Sequence, residues 1–286
     1  MKKNFAAARI LSGILLLPLC LLFFGCQTDN GSSITLDFYK IGKADAILIQ
    51  GKQGDGTPFY VLIDTGEEDD APEIIDKVRA AGADQLDCLI LTHFDKDHIG
   101  GLAALLSELP ADRILMPDYV GEGTPYEAMT ALFSGGGYPT EVLTADTAFT
   151  LGKTTFAVSV PKQSSYSKKQ DNNASLVVTV THGTQVLYLT GDAEEARQKE
   201  LIAELSAAGI TQTALLKVPH HGVYNDGIGD FFSACRPQNA VITCSDKNPP
   251  DPETLSLLRS LDTNVYLTAD GDIRVVCTGD SISVTQ

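Results

Sequence analysis

Short apolar runs separated by glycine-rich turns recur along the chain from residue 34 onward. Their lengths and their content of β-branched residues predict strands. The predicted strands are residues 34–38, 45–50, 59–64, 87–92 and 114–117, followed by the segments TTFAVSV, SLVVTVT, TQVLYLTG, ALLKVP, AVITCS, NVYLTA and DIRVVCT. The run DCLILT at 87–92 is continuous rather than alternating, which is typical of a strand that is buried on both faces.

Several segments between these strands show the spacing of apolar residues that is typical of helices. The predicted helices are residues 71–82, 101–109, 124–133, 192–209 and 252–261. Thr124 is expected to cap the third helix and Gly209 to end the fourth. Strand-rich halves with helices at intervals predict one mixed α/β domain, residues 34–286, in which two sheets lie between helix layers.

The first 25 residues have a different pattern. A basic start precedes an apolar run from Ile10 to Phe24, and a small residue, Gly25, stands directly before Cys26. The apolar run of 15 residues is shorter than the roughly 20 that a membrane-spanning helix needs. Residues 1–25 are therefore predicted to be a secretory signal peptide.

The end of this segment, LFFGC, resembles a bacterial lipobox. The resemblance implies cleavage before Cys26 and attachment of lipid to its thiol, which would hold the protein on the extracytoplasmic face of a membrane. Residues 26–33 are polar and rich in Gly and Ser, as expected of a flexible tether. An uncleaved anchor and plain secretion are the alternatives.

The chain is strongly acidic. Its net charge is −16, and this becomes −19 once Lys2, Lys3 and Arg9 leave with the signal peptide. Such a charge disfavours non-specific binding of nucleic acid, which depends on neutralising phosphates with Lys and Arg. An anionic substrate would need a local positive charge, which metal ions could supply. The sequence indicates no oligomeric state.

Four cysteines lie beyond Cys26, without the spacing of a metal site: Cys88, Cys235, Cys244 and Cys277. Three of them stand in apolar, strand-like segments, so we expect buried thiols that pack as small apolar groups. Export would also permit disulfides, and the sequence does not choose among the three possible pairings.

The motif THFDKDHIGG, residues 92–101, follows the buried strand. It holds four potential metal ligands within six residues: His93, Asp95, Asp97 and His98. Carboxylates and imidazoles this close together at a strand end favour a bound cation. A solvated acidic loop is the alternative, but four of the chain's five histidines fall in two short clusters.

The second cluster is LKVPHHG, residues 216–222, again at the end of a predicted strand. Adjacent residues of an extended chain point in different directions, so one of His220 and His221 is expected to bind metal. The other would contact substrate or orient a ligand. Lys217 either contributes positive charge to the site or is an exposed strand-end lysine.

Two carboxylates stand at further strand ends, Asp64 in VLIDTG and Asp192 in LTGD. Asp192 precedes a predicted helix, so capping alone would explain it. Beside the histidine clusters, however, we favour a carboxylate that bridges two metal ions. The fifth histidine, His182, ends a strand beside Gly183 and is expected to be a turn residue rather than a ligand.

Taken together, HxDxDHxGG, LTGD and LKVxHHG resemble the motifs of the metallo-β-lactamase superfamily, and most closely its ComEC-like branch, the hydrolase domain of a DNA-uptake protein. Two further segments, Asp37 to Ala46 and DNNASLV at 171–177, resemble motifs of that branch. The resemblance covers residues 34–280 and implies an αββα four-layer sandwich, with the site along one edge of the two sheets.

The resemblance also implies roles, carried over motif by motif. One metal ion would be held by His93 and Asp95, a second by Asp97, His98 and either His220 or His221, and Asp192 would bridge them. The implied catalytic residues are Asp97, His220 and His221. Residues implied to lie around the ligands are Asp45, Asp64, Asn172 and Asn173, and the two asparagines stand where many members have another histidine ligand.

The chain departs from the superfamily pattern at three places. Asp95 replaces a usual histidine, and Asn172 and Asn173 offer amides, so one metal position is rich in oxygen. Oxygen ligands suit Mn²⁺ or Mg²⁺ and imidazoles suit Zn²⁺, so we expect two divalent ions, Zn or Mn, with partial occupancy at the oxygen-rich position. The GHP motif of the branch is absent and Pro249 stands at its histidine, which removes specific support for nuclease activity.

The expected chemistry is hydrolysis by metal-activated hydroxide, since a metal ion lowers the pKa of a bound water from about 15.7 towards ~7. The motif set favours a phosphodiester-type substrate. Hydrolysis of an ester, lactone or β-lactam on the same site is the second hypothesis. The third is a non-catalytic surface binding module that retains the fold.

Overall fold

The computed structural model describes residues 33–286, so the predicted signal peptide and Cys26 lie outside the described residues, as does the predicted tether except Ser33. Within this part of the chain, none of the helices combines the length and the apolar character needed to cross a bilayer.

The described residues form strands and helices in a mixed order, with several strands following one another directly. The strands are β1 (Ile34–Phe38), β2 (Ile47–Lys52), β3 (Pro58–Ile63), β4 (Cys88–Ile90), β5 (Ile114–Pro117), β6 (Thr140–Leu143), β7 (Thr147–Leu151), β8 (Thr154–Ser159), β9 (Val177–His182), β10 (Gln185–Leu189), β11 (Leu215–Lys217), β12 (Asn239–Ile242), β13 (Asn264–Leu267), β14 (Ile273–Cys277) and β15 (Ile282–Thr285). The helices are α1 (Ala71–Ala80), α2 (Lys96–Ile99), α3 (Leu102–Glu108), α4 (Gly123–Ser134), α5 (Gln170–Asn173), α6 (Glu195–Ala207), α7 (Ile228–Cys235) and α8 (Pro252–Ser260).

The strands form two mixed sheets. The first has eight strands in the order β15-β14-β1-β2-β3-β4-β5-β6, and the second has seven in the order β13-β12-β11-β10-β9-β8-β7. Parallel pairing joins β3 to β4 and β4 to β5 in the first sheet. It also joins β10, β11 and β12 in the second. Parallel neighbours place the carboxyl ends of their strands at one edge of each sheet.

Three apolar cores hold four layers together. One core lies between the inner faces of the two sheets. A second packs the first sheet against α1 and α3, and a third packs the second sheet against α6 and α7. In β4, Cys88 and Ile90 belong to the central core, whereas Leu89 belongs to the core under the helices. Burial on both faces therefore explains the continuous apolar run, and the predicted αββα architecture is confirmed.

Some details of the elements differ from the sequence-based predictions. Helix α4 begins at Gly123 with Glu122 in the N-cap position, so the prediction that Thr124 caps it is wrong. Gly209 does follow the end of α6, with a left-handed φ of 67°. The elements β6, β7, β15, α2, α5 and α7 lie outside the segments that the sequence predicts.

All four described cysteines are buried and free: Cys88, Cys235, Cys244 and Cys277. Burial raises the pKa of the Cys88 thiol to about 12 and that of Cys235 to about 12. A thiol with such a pKa stays protonated at neutral pH and is a poor metal ligand. The prediction that these thiols pack as small apolar groups is confirmed.

Candidate metal centre

The predicted site residues gather at the edge where strands of both sheets end. In the first sheet, Asp64 follows β3 and the motif at 92–101 follows β4. In the second, Asp192 follows β10 and the two adjacent histidines follow β11. We call this group of histidines and carboxylates the cage; its members are Asp45, Asp64, His93, Asp95, Asp97, His98, Asp192, His220 and His221.

The motif after β4 folds back on itself within one short helix. Asp95 is extended, and its carbonyl accepts hydrogen bonds from the amides of His98 and Ile99, both at 3.0 Å. This turn brings the rings of His93 and His98 to a centroid separation of 4.0 Å. Both side chains are fully buried. The spacing HxDxDH therefore converts six successive residues into one wall of the cage.

Asp64 fixes the orientation of His98. Its backbone has a left-handed φ of 60°, and its carboxylate accepts hydrogen bonds from the amide and the hydroxyl of Thr92, each at 2.7 Å. Its Oδ2 also lies 2.7 Å from Nδ1 of His98. Nε2 of His98 then faces Oδ1 of Asp192 at 3.4 Å. A carboxylate on one ring nitrogen fixes the tautomer and leaves the other nitrogen for a ligand.

The two adjacent histidines are not on an extended chain. Both adopt left-handed backbone angles, φ 47° for His220 and φ 54° for His221, within a tight turn from Pro219 to Gly222. The prediction of an extended backbone is wrong here, although the rings do diverge, at 60° to each other. The compact turn lets both rings approach one carboxylate, that of Asp192.

His221 points into the cage. Its Nδ1 contacts the carbonyl and the hydroxyl of Thr243, at 3.1 and 3.0 Å. Its Nε2 lies 3.2 Å from Asp192 and 3.5 Å from Asp97. His220 lies nearer the surface, with Nδ1 2.8 Å from Glu194 and Nε2 4.0 Å from Asp192. Of the two, His221 has the environment of a ligand.

Asp192 occupies the middle of the cage. Helix α6 begins at Glu195 with Glu194 in the N-cap position, so Asp192 does not cap it. Its carboxylate lies within 4.0 Å of ring nitrogens of four histidines: His93 at 3.9 Å, His98 at 3.4 Å, His220 at 4.0 Å and His221 at 3.2 Å. This is the position that a bridging carboxylate requires.

The donor set fits divalent metal ions. Ligand atoms lie within 4.8 Å of one another in three sets: His93, His98 and Asp192; Asp97, His98 and His221; Asp45, Asp64 and His98. Among the described residues, Nε2 of His93, His98 and His221 and Oδ1 of Asp192 are buried without a hydrogen-bond partner. Buried polar atoms are almost always satisfied, so converging unsatisfied ones point to a bound ion.

Lys217 is buried against the cage rather than exposed at a strand end. Its side chain is fully buried, and its Nζ lies 2.8 Å from Oδ2 of Asp45 and 3.7 Å from Oδ1 of Asp192. Burial lowers the pKa of Lys217, but the two carboxylates outweigh burial and raise it above its ordinary value. The ammonium therefore stays charged inside the protein.

The buried groups of the cage set each other's charges. Burial and the neighbouring His98 hold the pKa of His93 well below its ordinary value, so its ring is neutral. Burial also lowers the pKa of His98, but Asp192 and Asp64 outweigh burial and raise it well above the usual range. Burial raises the pKa of Asp192, but His221 and His98 outweigh burial and hold this pKa well below its ordinary value. The carboxylate therefore stays ionised.

Other predicted site residues lie at the border of the cage. The Asp95 side chain is 43% exposed, and its Oδ2 lies 3.8 Å from Nε2 of His93. Nδ2 of Asn172 lies 3.4 Å from Nε2 of His220. Asn173 instead accepts a hydrogen bond from the amide of Arg197 at 2.9 Å and so supports the first turn of α6.

His182 lies at the opposite end of its sheet from Asp192. It ends β9, pairs with Gln185 at the start of the antiparallel β10, and contacts the hydroxyl of Thr154 at 2.9 Å. It is the buried last residue of β9 rather than a turn residue, and it lies outside the cage.

Glu194 and Thr243 contact the histidines but do not stand out in the sequence. Glu194 lies among the acids at the start of α6, where a carboxylate commonly faces the helix dipole. Thr243 follows an ordinary apolar strand. The DAEE segment after the LTGD motif offers only a weak signal for Glu194, because acids are common at the start of a helix. In the structure, Glu194 is buried beside His220.

Known proteins share this architecture. A model of the metallo-β-lactamase superfamily matches residues 42–231. ComE operon protein 3 of Bacillus subtilis (strain 168) is 28% identical over 279 residues, covering 90% of this chain and 34% of that protein. Recombination protein 2 of Haemophilus influenzae is 26% identical over 286 residues, covering 96% of this chain and 32% of that protein. The chain thus spans about a third of the length of these curated relatives.

A solved structure shows the likeness of fold. The metallo-β-lactamase fold protein YhfI from Bacillus subtilis superposes with a TM-score of 0.51 and 16% identity, covering 85% of this chain and 99% of that chain. Both sheets and the helix layers are thus a known arrangement, and the family binds divalent metal ions. The chain belongs to the metallo-β-lactamase superfamily, in the ComEC-like branch related to competence proteins.

Proposed function

We propose that this protein is a metal-dependent hydrolase that acts outside the cytoplasm on a phosphodiester-type substrate. The observation that carries the proposal is the central carboxylate of Asp192, within 4.0 Å of ring nitrogens on four histidines. A structural ion pair does not need several imidazoles around one buried acid, whereas imidazoles and carboxylates are the ligands that catalytic Zn²⁺ takes in proteins.

Two groups of side chains would hold the ions, with Asp192 shared between them. The first group is His93 with Asp95, and the second is Asp97, His98 and His221. Bound divalent ions, Zn²⁺ or Mn²⁺, would supply Lewis acidity and lower the pKa of a water molecule towards ~7. Asp64 lies behind His98 and holds its imidazole in place, and Asp45 lies 3.7 Å from Nδ1 of His221.

Two residues beside the ions have catalytic roles in this proposal. His220 is only 12% exposed, and contacts with Glu194 and Asn172 hold its ring beside Asp192. It would donate a proton to the leaving oxygen or hold an oxygen of the substrate. Burial raises the pKa of Asp97, but His221 and His98 outweigh burial and lower it, so the carboxylate stays ionised. In this proposal an ionised Asp97 is chiefly a metal ligand, and accepting a proton is its secondary role.

The cleft beside the cage bears on the substrate. A cavity of about 800 Å³ adjoins Asp97 and contains Lys43, Lys96 and Lys247, together with four further acids. The lysines alone therefore do not make this cleft positive. An anionic substrate would be attracted chiefly by the metal ions, in agreement with a centre that holds two of them.

The names of two relatives favour the phosphodiester class, since one is a recombination protein and the other a competence protein. The motif order of the ComEC-like branch runs through this chain. The missing GHP histidine, replaced by Pro249, argues for a phosphodiester other than long DNA.

Hydrolysis assays separate the candidate substrates. Purified protein with Mn²⁺, Zn²⁺ or Mg²⁺ is expected to release nitrophenol from bis(4-nitrophenyl) phosphate, and Asp192→Asn is expected to abolish the release. Turnover of nitrocefin or a lactone without phosphodiester turnover would assign the ester and lactam class instead. No turnover of any substrate, together with no bound metal, would assign a non-catalytic binding module.

The location rests on the lipobox-like sequence before Cys26, outside the described residues. In a membrane sedimentation experiment, we expect the wild type to sediment with the membranes and Cys26→Ser to be released as soluble protein. Equal sedimentation of both would contradict a lipid anchor on this thiol.

A further inference from the structure

Lys217 is buried in a way that needs a physical reason. In β11, Leu215 belongs to the core between the sheets and Leu216 to the core under the helices. Alternation along a strand places Lys217 on the side of Leu215, between the two sheets. Its side chain has no exposed surface. Burying an ammonium group is strongly unfavourable unless carboxylates pair with it.

The ammonium joins carboxylates that come from different sheets. Asp45 precedes β2 of the first sheet, and its Oδ2 lies 2.8 Å from Nζ of Lys217. Asp192 follows β10 of the second sheet, and its Oδ1 lies 3.7 Å from the same nitrogen. The ammonium also donates a hydrogen bond to the carbonyl of Gly191 at 3.3 Å. One positive charge thus links the two halves of the cage.

The two oxygens of Asp192 have different neighbours. Oδ1 faces His98 and Lys217. Oδ2 faces the other three histidines: His93, His220 and His221. Asp45 has a similar position, since its Oδ1 lies 3.7 Å from Nδ1 of His221 and its Oδ2 faces Lys217. Lys217 is therefore in contact with the acids at the base of the cage, away from the cleft.

We propose that Lys217 is a positioning residue that assembles the metal centre before metal binds, by neutralising Asp45 and Asp192 across the two sheets. The proposal rests on the metal centre of the proposed function, and it adds a fixed internal cation to that centre. Without this cation, Asp45 would lose its nearest counter-ion and would repel Asp192 more strongly until a metal ion arrived. With it, the imidazoles of His98 and His221 keep their places in the metal-free protein.

The test compares thermal unfolding of metal-free and Mn²⁺-saturated protein. In Lys217→Met, the midpoint of the metal-free protein is expected to fall by about 10 °C, because buried Asp45 loses its nearest counter-ion and Asp192 loses one of its cationic neighbours. Saturating Mn²⁺ is expected to raise the midpoint more in this variant than in wild type, since the ion replaces the missing charge. A lysine that only filled space would leave the metal-dependent part of the shift unchanged.

A paired variant guards against a protein that simply fails to fold. Asp45→Asn combined with Lys217→Met removes both charges, so its metal-free midpoint is expected to lie well above that of Lys217→Met alone. The matched control is Lys77→Met, because Lys77 pairs with Glu73 and Asp272 outside the cage. This control should leave the Mn²⁺-induced shift at the wild-type value.

The outcomes separate this inference from the proposed function. Three results would overturn the role of Lys217 and leave the hydrolase proposal intact. The metal-free midpoint of Lys217→Met could equal that of wild type, its Mn²⁺-induced shift could equal that of wild type, or the double variant could show no recovery of the midpoint. If wild type itself gains no stability from any divalent ion, the metal centre is contradicted and this inference fails with it.

Discussion

At the scale of single residues, the imidazole of His98 receives its orientation from a carboxylate behind it. Asp64 holds Nδ1 of His98 at 2.7 Å and is itself held by two hydrogen bonds from Thr92. Asp64 could be identified as a candidate from the sequence because it stands at the end of a predicted strand. Its partner was not predictable, because that contact joins residues 34 positions apart.

Asp64→Asn tests this support directly. The amide keeps the size of the carboxylate but loses the charge that pairs with His98, so we expect affinity for Mn²⁺ or Zn²⁺ to fall about 10–100-fold by titration calorimetry. Asp55→Asn, on an exposed turn where the carboxylate accepts hydrogen bonds from Thr57, is the control and should bind metal as wild type does. If Asp64→Asn binds metal with unchanged affinity, His98 does not need the carboxylate of Asp64 to orient its ring.

Asp95 predicts a pH dependence for the metal-free protein. Burial, Asp171 and Asp97 raise its pKa to about 6, against about 3.9 in an unfolded chain. The folded protein therefore binds an extra proton between these values, and the stability that this proton contributes is full below about pH 4 and is lost as pH rises through about 6. Asp95→Asn has no such proton to lose.

Unfolding midpoints in chelator check this sign. Wild type and Asp95→Asn should differ little near pH 4, and the variant should become relatively more stable as pH approaches neutrality. A difference between the two proteins that does not change with pH would contradict the raised pKa. Because both proteins carry the same other titrating groups, the comparison isolates Asp95.

The sequence revealed the ligand candidates better than the residues that support them. His93, Asp95, Asp97 and His98 stand out because four potential ligands crowd one strand end. Glu194 resembles an ordinary acid at the start of a helix, and nothing local shows that it faces His220. For Lys217, the alternation of a short strand leaves the exposed and buried alternatives open until the second sheet is placed.

At the scale of elements, burial decided which strands and helices were predictable. β4 is apolar throughout because both of its faces are covered. β6 and β7 are mostly exposed or half-exposed, so their sequences TEVL and TAFTL lack a distinct apolar face. In α7 the buried residues do follow a helical spacing, but the element has only 8 residues.

The glycine pair that ends the metal motif packs two loops together. A Cβ on Gly101 would lie 2.3 Å from the carbonyl oxygen of Thr65, whose amide bonds to His98. We expect Gly101→Ala to destabilise the fold by about 1–3 kcal/mol in urea unfolding, because backbone must move. Gly54→Ala, where no atom lies within 4 Å, is the control. Equal stability of the two variants would contradict the close approach.

At the scale of the whole molecule, the cage depends on contacts between distant parts of the chain. Asp45 and Asp64 belong to the first sheet, whereas Asp192 and His221 belong to the second. The sequence motifs predicted that these residues lie at the ends of strands. The resemblance to the family predicted that those strand ends meet at one edge of the two sheets. Distances, the buried lysine and the choice of His221 over His220 required the packing of the two sheets.

Because the protein carries a large negative charge, bound metal ions would also be needed to attract an anionic substrate. With a net charge of −16, the chain repels anionic substrates except where cations are concentrated. The cage supplies five carboxylates, and Lys217 is the single ammonium buried among the described members and neighbours of the cage. Bound divalent ions would reverse the local charge and stabilise the folded state by about 2.7 kcal/mol at a concentration 100 times the Kd.

Metal content measured by mass spectrometry, after equilibration with Mn²⁺ or Zn²⁺ and removal of free ions, tests the central claim most directly. The wild-type protein is predicted to retain between one and two divalent ions per chain, and Asp192→Asn to retain close to none. Equal, near-zero metal in both proteins would contradict a metal centre, and with it the hydrolase proposal.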